Sequence, residues 1–202
     1  MPNFTDLSGL AGVASATAAS LLLLPQIARL TKPHLALVMG MVFVGMLIPF
    51  GELPPAAYVR GMTGDLSITT LVLLWCAMLR PWFGATDAGA RRALLMLIAL
   101  AAVVLYPMAL GVGAFDPYRL GYGNTPFVAA LLLFALAAWF WKYFLIVLCI
   151  AFATLAWAVG WYESNNLWDY LLDPLVSIYA LSALMIHAVK TLMKPQRGDP
   201  DK

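Results

Sequence analysis

Long runs of apolar residues alternate along the whole chain with short segments that are rich in proline, glycine and charge. A helix needs about 20 apolar residues, within a range of about 17–25, to cross the hydrocarbon core of a bilayer. The pattern predicts an all-α protein, a polytopic transmembrane helical bundle that forms a single domain over residues 1–202. The approximate bounds of its seven predicted spans are 7–28, 35–50, 66–83, 93–113, 126–141, 143–162 and 173–192.

The stretch 127–162 is the one place where the pattern leaves the number of helices open. It is nearly apolar, and Lys142 is its only charged residue. As a single helix it would be about 54 Å long, far beyond a hydrocarbon core of about 30 Å. Two spans joined by a very tight turn near Trp141 and Lys142 fit better. At another break Asp65 precedes Leu66, and we expect its side chain to cap the third span.

The charges give an independent test, because cytoplasmic loops carry an excess of Lys and Arg. With seven spans, all but two of the 12 basic residues lie on one side, and only Arg60 and Arg119 lie on the other. Merging 127–162 into one span moves the C-terminal tail across the membrane and removes this bias. We therefore expect seven spans, with the N-terminus outside and the C-terminus inside. The outer side then also holds most of the acidic residues.

Composition narrows the functional classes. The chain is 63% hydrophobic and 11% charged, whereas a soluble domain is about 45–50% apolar and about 25% charged. This excludes a soluble globular enzyme, a disordered chain and a nucleic-acid binder with a basic face. A secretory signal peptide begins with a positive segment, but the first basic residue is Arg29, so we expect a retained first helix. The predicted location is the bacterial inner (plasma) membrane, as a multi-pass protein with the lipid bilayer around it.

The residues that usually bind metals or cofactors are few. Cys76 and Cys149 both lie within apolar runs, where cysteine usually acts as a small buried hydrophobe. No CxxC or Cys/His pattern exists, and His34 and His187 are the only histidines. We therefore expect no metal and no cofactor.

The predicted outer loops carry the candidate functional residues. They are irregular, aromatic and acidic, whereas the inner loops are short and basic. Arg60 and Arg119 either form interfacial ion pairs, worth little if exposed, or bind an anionic lipid head group or phosphate. Asp169 and Asp173, four residues apart, are either solvated or share a proton or a cation. The candidate polar cluster of this face comprises Glu52, Arg60, Asp65, Asp116, Arg119, Glu163, Asp169 and Asp173.

One short motif points to a known family. Pro25 and Gln26 end the first predicted span and are followed by Ile-Ala-Arg-Leu-Thr-Lys. This segment resembles the PQ-loop of the SWEET and related transporters, which have seven spans and an outer N-terminus. The resemblance covers residues 7–50, and the fifth span has no second Pro-Gln pair. It implies a hinge at Pro25 and Gln26 and a central cavity for a small polar solute between two triple-helix halves.

Three functional hypotheses follow. The first is a non-catalytic subunit or scaffold of an envelope-associated complex, which binds a membrane or periplasmic protein through its outer face. The second is a small-solute facilitator of the PQ-loop type. The third is a membrane-embedded enzyme that acts on lipid head groups at the outer interface through Arg60, Asp65, Asp116 and Arg119. No intramembrane charge and no recognisable catalytic set are present, which favours the first.

Overall fold

The structure, a computed structural model, describes residues 4–193. Within this range the chain forms α-helices, two short 3-10 helices at Leu21–Leu23 and Pro117–Gly121, and no β-strand. The α-helices are α1 Phe4–Ser20, α2 Pro25–Ala28, α3 Lys32–Leu47, α4 Pro55–Thr63, α5 Ile68–Phe83, α6 Ala88–Ala109, α7 Thr125–Phe140, α8 Phe144–Ala158, α9 Leu167–Leu171 and α10 Pro174–Leu192.

Each apolar run of the sequence contains one of the longer helices, namely α1, α3, α5, α6, α7, α8 and α10. Three helical segments in the described chain are long and apolar enough to cross a membrane: Asp6–Leu23, Ala88–Ala109 and Pro174–Leu192. The helices α3, α5, α7 and α8 have 15 or 16 residues each, slightly fewer than the usual range of about 17–25. The part of the chain that the structure describes is thus all-helical, and three of its helical segments could cross a membrane.

The nearly apolar stretch 127–162 is divided into α7 and α8 by a turn at Lys142. This residue has φ 63°, in the left-handed region that side chains rarely adopt. The Tyr143 N–H donates to the Ala138 carbonyl at 2.9 Å, and the Lys142 N–H donates to the Trp139 carbonyl at 2.9 Å. This is a Schellman motif, which satisfies the last carbonyls of α7 and reverses the chain within three residues.

Several of the longer helices follow an N-cap residue whose side chain accepts a hydrogen bond from the first turn. Asp87, Asn124 and Asp173 accept hydrogen bonds from the first turns of α6, α7 and α10. At α5 the cap is Ser67, whose hydroxyl accepts from the Thr70 N–H. The expectation that Asp65 caps this helix is therefore wrong. Its carboxylate binds an arginine side chain instead.

Packing divides the helices into a well-buried group and a peripheral one. The main core lies between α6, α8 and α10, and α5 packs against α8. Helix α1 contacts α3, α4 and α5, whereas α3 packs mainly on α1 and buries only Leu35 and Met39. Many large apolar side chains outside these contacts are exposed, among them Leu100, Leu133 and Ile178. Such wide apolar exposure is rare on soluble monomers.

The bundle has two chemically different ends, because hydrogen bonds bring the starts of α1, α5 and α10 together with α4 and the segment after α8. One end, called the acidic end below, holds the start of α1, α4, the start of α5, α9 and the start of α10. The other, called the basic end, holds Arg29, Lys32, Arg80, Arg91, Arg92, Lys142 and Lys190.

Candidate functional site

The acidic end is held together by polar side chains from distant parts of the chain. The Ser8 hydroxyl on α1 donates to the Trp161 carbonyl after α8. Other contacts link α4 to α1, α5 to α10, and the 3-10 helix Pro117–Gly121 to α9. These contacts involve several residues of the candidate polar cluster.

Arg60 on α4 forms the main ion pair of this end. Its Nε and Nη2 donate to the two carboxylate oxygens of Asp65, at 2.6 Å and 3.0 Å. Its Nη1 donates to Asp6 Oδ1 at 3.2 Å. The hydrogen bond to Asp65 raises the pKa of the guanidinium, against the opposing effect of partial burial. Because its donors already face two carboxylates, Arg60 is occupied by the protein's own acids.

Gly9 explains how this ion pair fits against α1. A Cβ at this position would lie 2.3 Å from Asp65 Oδ1 and 2.5 Å from Arg60 Nε. Both distances are below van der Waals contact, so only glycine lets the pair approach the helix this closely. The absence of a side chain at Gly9 thus leaves room for a charged pair against α1.

Asp173 joins the first turns of two helices. Its side chain is only 5% exposed, and Oδ1 accepts from the Val176 N–H of its own helix at 2.8 Å. Oδ2 accepts from the Ser67 N–H at 2.8 Å and from the Thr70 hydroxyl, both at the start of α5. The N-terminal ends of helices favour negative charge, which offsets the cost of burying this carboxylate.

Asp169 occupies a separate hydrogen-bonded group. The Tyr118 hydroxyl donates to its two carboxylate oxygens at 2.8 Å and 3.0 Å, and the Ser164 hydroxyl donates to Oδ2. Burial and the bond to Asp169 raise the pKa of the Tyr118 phenol above its ordinary value. Asp169 lies on α9, which ends at Leu171, so it does not share a helix with Asp173. The two carboxylates have different donors.

Asn166 ties α9 to the 3-10 helix Pro117–Gly121. It is fully buried, its Oδ1 accepts from the Trp168 N–H at 2.9 Å, and its Nδ2 donates to the Tyr118 carbonyl at 3.0 Å. A Cβ on Gly121 would lie 1.7 Å from this Oδ1. The close approach of the two segments therefore requires glycine at position 121.

A cavity of about 280 Å³ lies beneath these contacts, between α6, the 3-10 helix, α9 and the start of α10. Its lining combines three carboxylates with aromatic rings. Such a lining accepts hydrogen bonds and attracts positive charge. The residues that define it are Asp65, Tyr106, Tyr118, Trp168, Asp169 and Asp173.

The other predicted site residues lie outside this cavity. Glu52, Arg119 and Glu163 are exposed, and Asp116 accepts from the Tyr118 N–H at 3.0 Å as the cap of its 3-10 helix. The structure therefore brings Arg60 and Asp65 together but does not bring Asp116 and Arg119 to the same pocket. Near the opposite end, α1 stops at Ser20 and Pro25 starts the short α2 after an extended Leu24, with Pro25 and Gln26 exposed.

Sequence reasoning missed several residues that hold this end in place. Ser67, Thr70, Tyr118 and Asn166 all bind the predicted acids or cap their helices. A local signal existed for two of them, because Ser67 and Asn166 each directly precede a helix, and Ser and Asn are preferred N-cap residues. No local signal connects Ser67 with Asp173, 106 positions away.

Over residues 4–193, no group of three His, Cys, Asp or Glu side chains is arranged to hold a metal ion. Comparison with protein-family models, with curated proteins and with solved structures finds no match for this chain.

Proposed function

We propose that this protein is a seven-span inner-membrane protein, with its N-terminus outside, that serves as a non-catalytic subunit or scaffold of an envelope-associated complex. The acidic end is then its outer binding surface. Three apolar helices, the wide apolar exposure around the bundle and the segregation of Lys and Arg support the membrane placement.

The scaffold proposal rests on one observation. The polar side chains of the acidic end form hydrogen bonds within the protein. Arg60, Asp169 and Asp173 each hold at least two hydrogen bonds inside the protein. These bonds connect helix ends and loops that belong to different parts of the chain. A surface ordered before binding loses less entropy when a partner docks, so this arrangement suits a docking platform.

Exposed apolar side chains also lie on segments at the acidic end, and we propose that they contact the partner. Phe50 is 87% exposed, Met62 89% and Leu110 86%, and all three follow or lie on segments at the acidic end. Protein interfaces combine an apolar centre with a polar rim. A membrane or periplasmic protein with a complementary apolar patch is the partner that we propose.

The same geometry gives less support to the other two hypotheses. An enzyme built on Arg60, Asp65, Asp116 and Arg119 needs these groups around one substrate, yet Arg60 faces Asp65 and Arg119 is exposed elsewhere. A facilitator needs a passage between two halves, whereas the cavity at the acidic end holds about 280 Å³ and has no lining residue from α1 or α3. The break before Pro25 is the feature that favours a hinge.

The test is a purification in mild detergent of the tagged protein and two variants. Phe50→Ser with Met62→Ser alters the acidic end, and Phe140→Ser removes a ring that is 73% exposed near the basic end. We expect the wild type and Phe140→Ser to retain the same envelope protein and the double variant to lose it. Purification of the wild type as a lone monomer, with a normal envelope after gene deletion, would contradict the proposal.

A further inference from the structure

A second concave surface lies near the basic end, away from the candidate site. It is a groove of about 560 Å³ between α1, α3 and α5, within the range of about 300–1,000 Å³ that is usual for ligand pockets. Its walls are almost wholly apolar. The residues that define it are Ser15 and Ala18 on α1, Met39 and Gly40 on α3, and Trp75 and Trp82 on α5.

The groove exists because α3 and α5 both pack on α1 and only weakly on each other. Gly40 widens it, since a Cβ at this position would meet no atom within 4 Å. Along α5 the lining extends from Trp75 to Phe83, which is about 12 Å at 1.5 Å per residue. This length matches one leaflet of the hydrocarbon core, about 15 Å.

Three basic residues are close to the lining of the groove in the sequence. Lys32 is one helical turn before Ala36 of the lining, Arg80 adjoins Leu79, and Arg29 lies in the connection between α2 and α3. All three are exposed, and among the described residues only Arg60 forms a salt bridge. Asp87, the nearby acid, accepts from the Ala90 N–H as the cap of α6. No carboxylate of the described residues therefore neutralises Arg29, Lys32 or Arg80.

We propose that this groove binds one anionic phospholipid from the leaflet on the basic side of the membrane. Its acyl chains lie along Gly40, Trp75 and Trp82, and its phosphate lies between Arg29, Lys32 and Arg80. The charge of the three side chains selects an anionic head group over a zwitterionic one. Trp82 lies at the level where tryptophan usually meets the head groups. This inference rests on the membrane embedding in the proposed function but not on the scaffold role.

The first test fills the groove without disturbing the fold. Gly40→Leu places a side chain in the groove, and Gly45→Leu is the matched control, because Gly45 also lies on α3 with no atom within 4 Å of its Cβ but does not line the groove. Each protein is reconstituted with equal amounts of phosphatidylglycerol and phosphatidylcholine, and the retained lipid is counted by native mass spectrometry. We expect Gly40→Leu to lose the retained phosphatidylglycerol and Gly45→Leu to keep it.

The second test removes charge. Arg80→Gln is compared with Lys190→Gln, which removes an exposed basic side chain from the last turn of α10, outside the groove. We expect Arg80→Gln to lower the preference for phosphatidylglycerol about fivefold, equivalent to about 1 kcal/mol per basic side chain at an anionic surface. Lys190→Gln is expected to keep the wild-type preference.

Several outcomes would overturn the proposal. Equal retention of both lipids by the wild type, or equal effects of Gly40→Leu and Gly45→Leu, removes the selective site. Displacement of the lipid by soluble glycerol phosphate assigns the binding to phosphate alone. Loss of the protein from vesicles in an alkaline wash refutes the membrane embedding and the lipid site together, whereas absence of a protein partner refutes only the scaffold.

Discussion

The single side chain of Asp173 joins the starts of two helices at the acidic end. The carboxylate is buried, yet it accepts hydrogen bonds from Val176, Ser67 and Thr70 at the starts of two helices. Hydrogen bonds to a charged group are stronger than neutral ones, and both helix dipoles favour the negative charge. The sequence predicts Asp173 at the start of a helix, but its second partner, α5, follows only from the packing.

The first prediction compares a buried cap with an exposed one. Asp173→Ala leaves the Ser67 N–H and the Thr70 hydroxyl without their acceptor, so we expect it to lower the free energy of unfolding by about 1.5–3 kcal/mol. Asp87→Ala removes the exposed cap of α6 and should cost about 1 kcal/mol. Thermal unfolding in detergent measures both. Equal losses would show that Asp173 acts only as the cap of its own helix.

At the scale of the helices, tight turns at the helix ends divide the apolar sequence into separate helices. Helices α6, α7 and α8 all end in Schellman motifs, with Gly111, Lys142 and Gly160 in the left-handed conformation. The glycines are visible in the sequence as stop signals. Lys142 gives no such signal, because lysine has no preference for the left-handed conformation. The turn at Lys142 was predicted from the length of the apolar stretch instead.

The second prediction concerns the two turns that flank α8. Lys142→Gly removes the steric cost of a left-handed side chain and should raise the free energy of unfolding by about 1 kcal/mol. Gly160→Ala imposes that cost and should lower the free energy of unfolding by a similar amount. Gly45→Ala, within α3 and without positive φ, serves as control and should stabilise by about 0.5–1 kcal/mol. Denaturation curves should show that Lys142→Gly raises and Gly160→Ala lowers the free energy of unfolding. Changes of the same sign would contradict the prediction.

For the whole molecule, the distribution of charge between the two ends is the main feature. Most Lys and Arg residues belong to the basic end, while Asp6, Asp65, Asp169 and Asp173 meet at the acidic end. Since the positive-inside rule counts short loops near the spans, this arrangement predicts the orientation. The proposed binding surface and the proposed lipid groove would then face opposite sides of the membrane.

The third prediction tests the orientation directly. A green fluorescent protein fused to the C-terminus should fluoresce, because it folds in the cytoplasm, and alkaline phosphatase at the same position should be inactive. Alkaline phosphatase inserted after Gly113, between α6 and α7, should be active. An active C-terminal phosphatase would favour six spans, with residues 127–162 as one.

The amino-acid sequence by itself determined the helical class, the approximate position of each long helix and the separation of basic from acidic ends. These follow from apolar run length, turn residues and charge, all of which are local properties. Only the tertiary structure decided that Asp65 pairs with Arg60 instead of capping α5, that Asp169 and Asp173 take different donors, and that a groove separates α3 from α5. Local propensity does not decide these features, because they depend on how the helices pack. Arg60 and Asp65 are only five residues apart, but Arg60 also binds Asp6 on α1, and Asp173 meets Ser67 from 106 positions away.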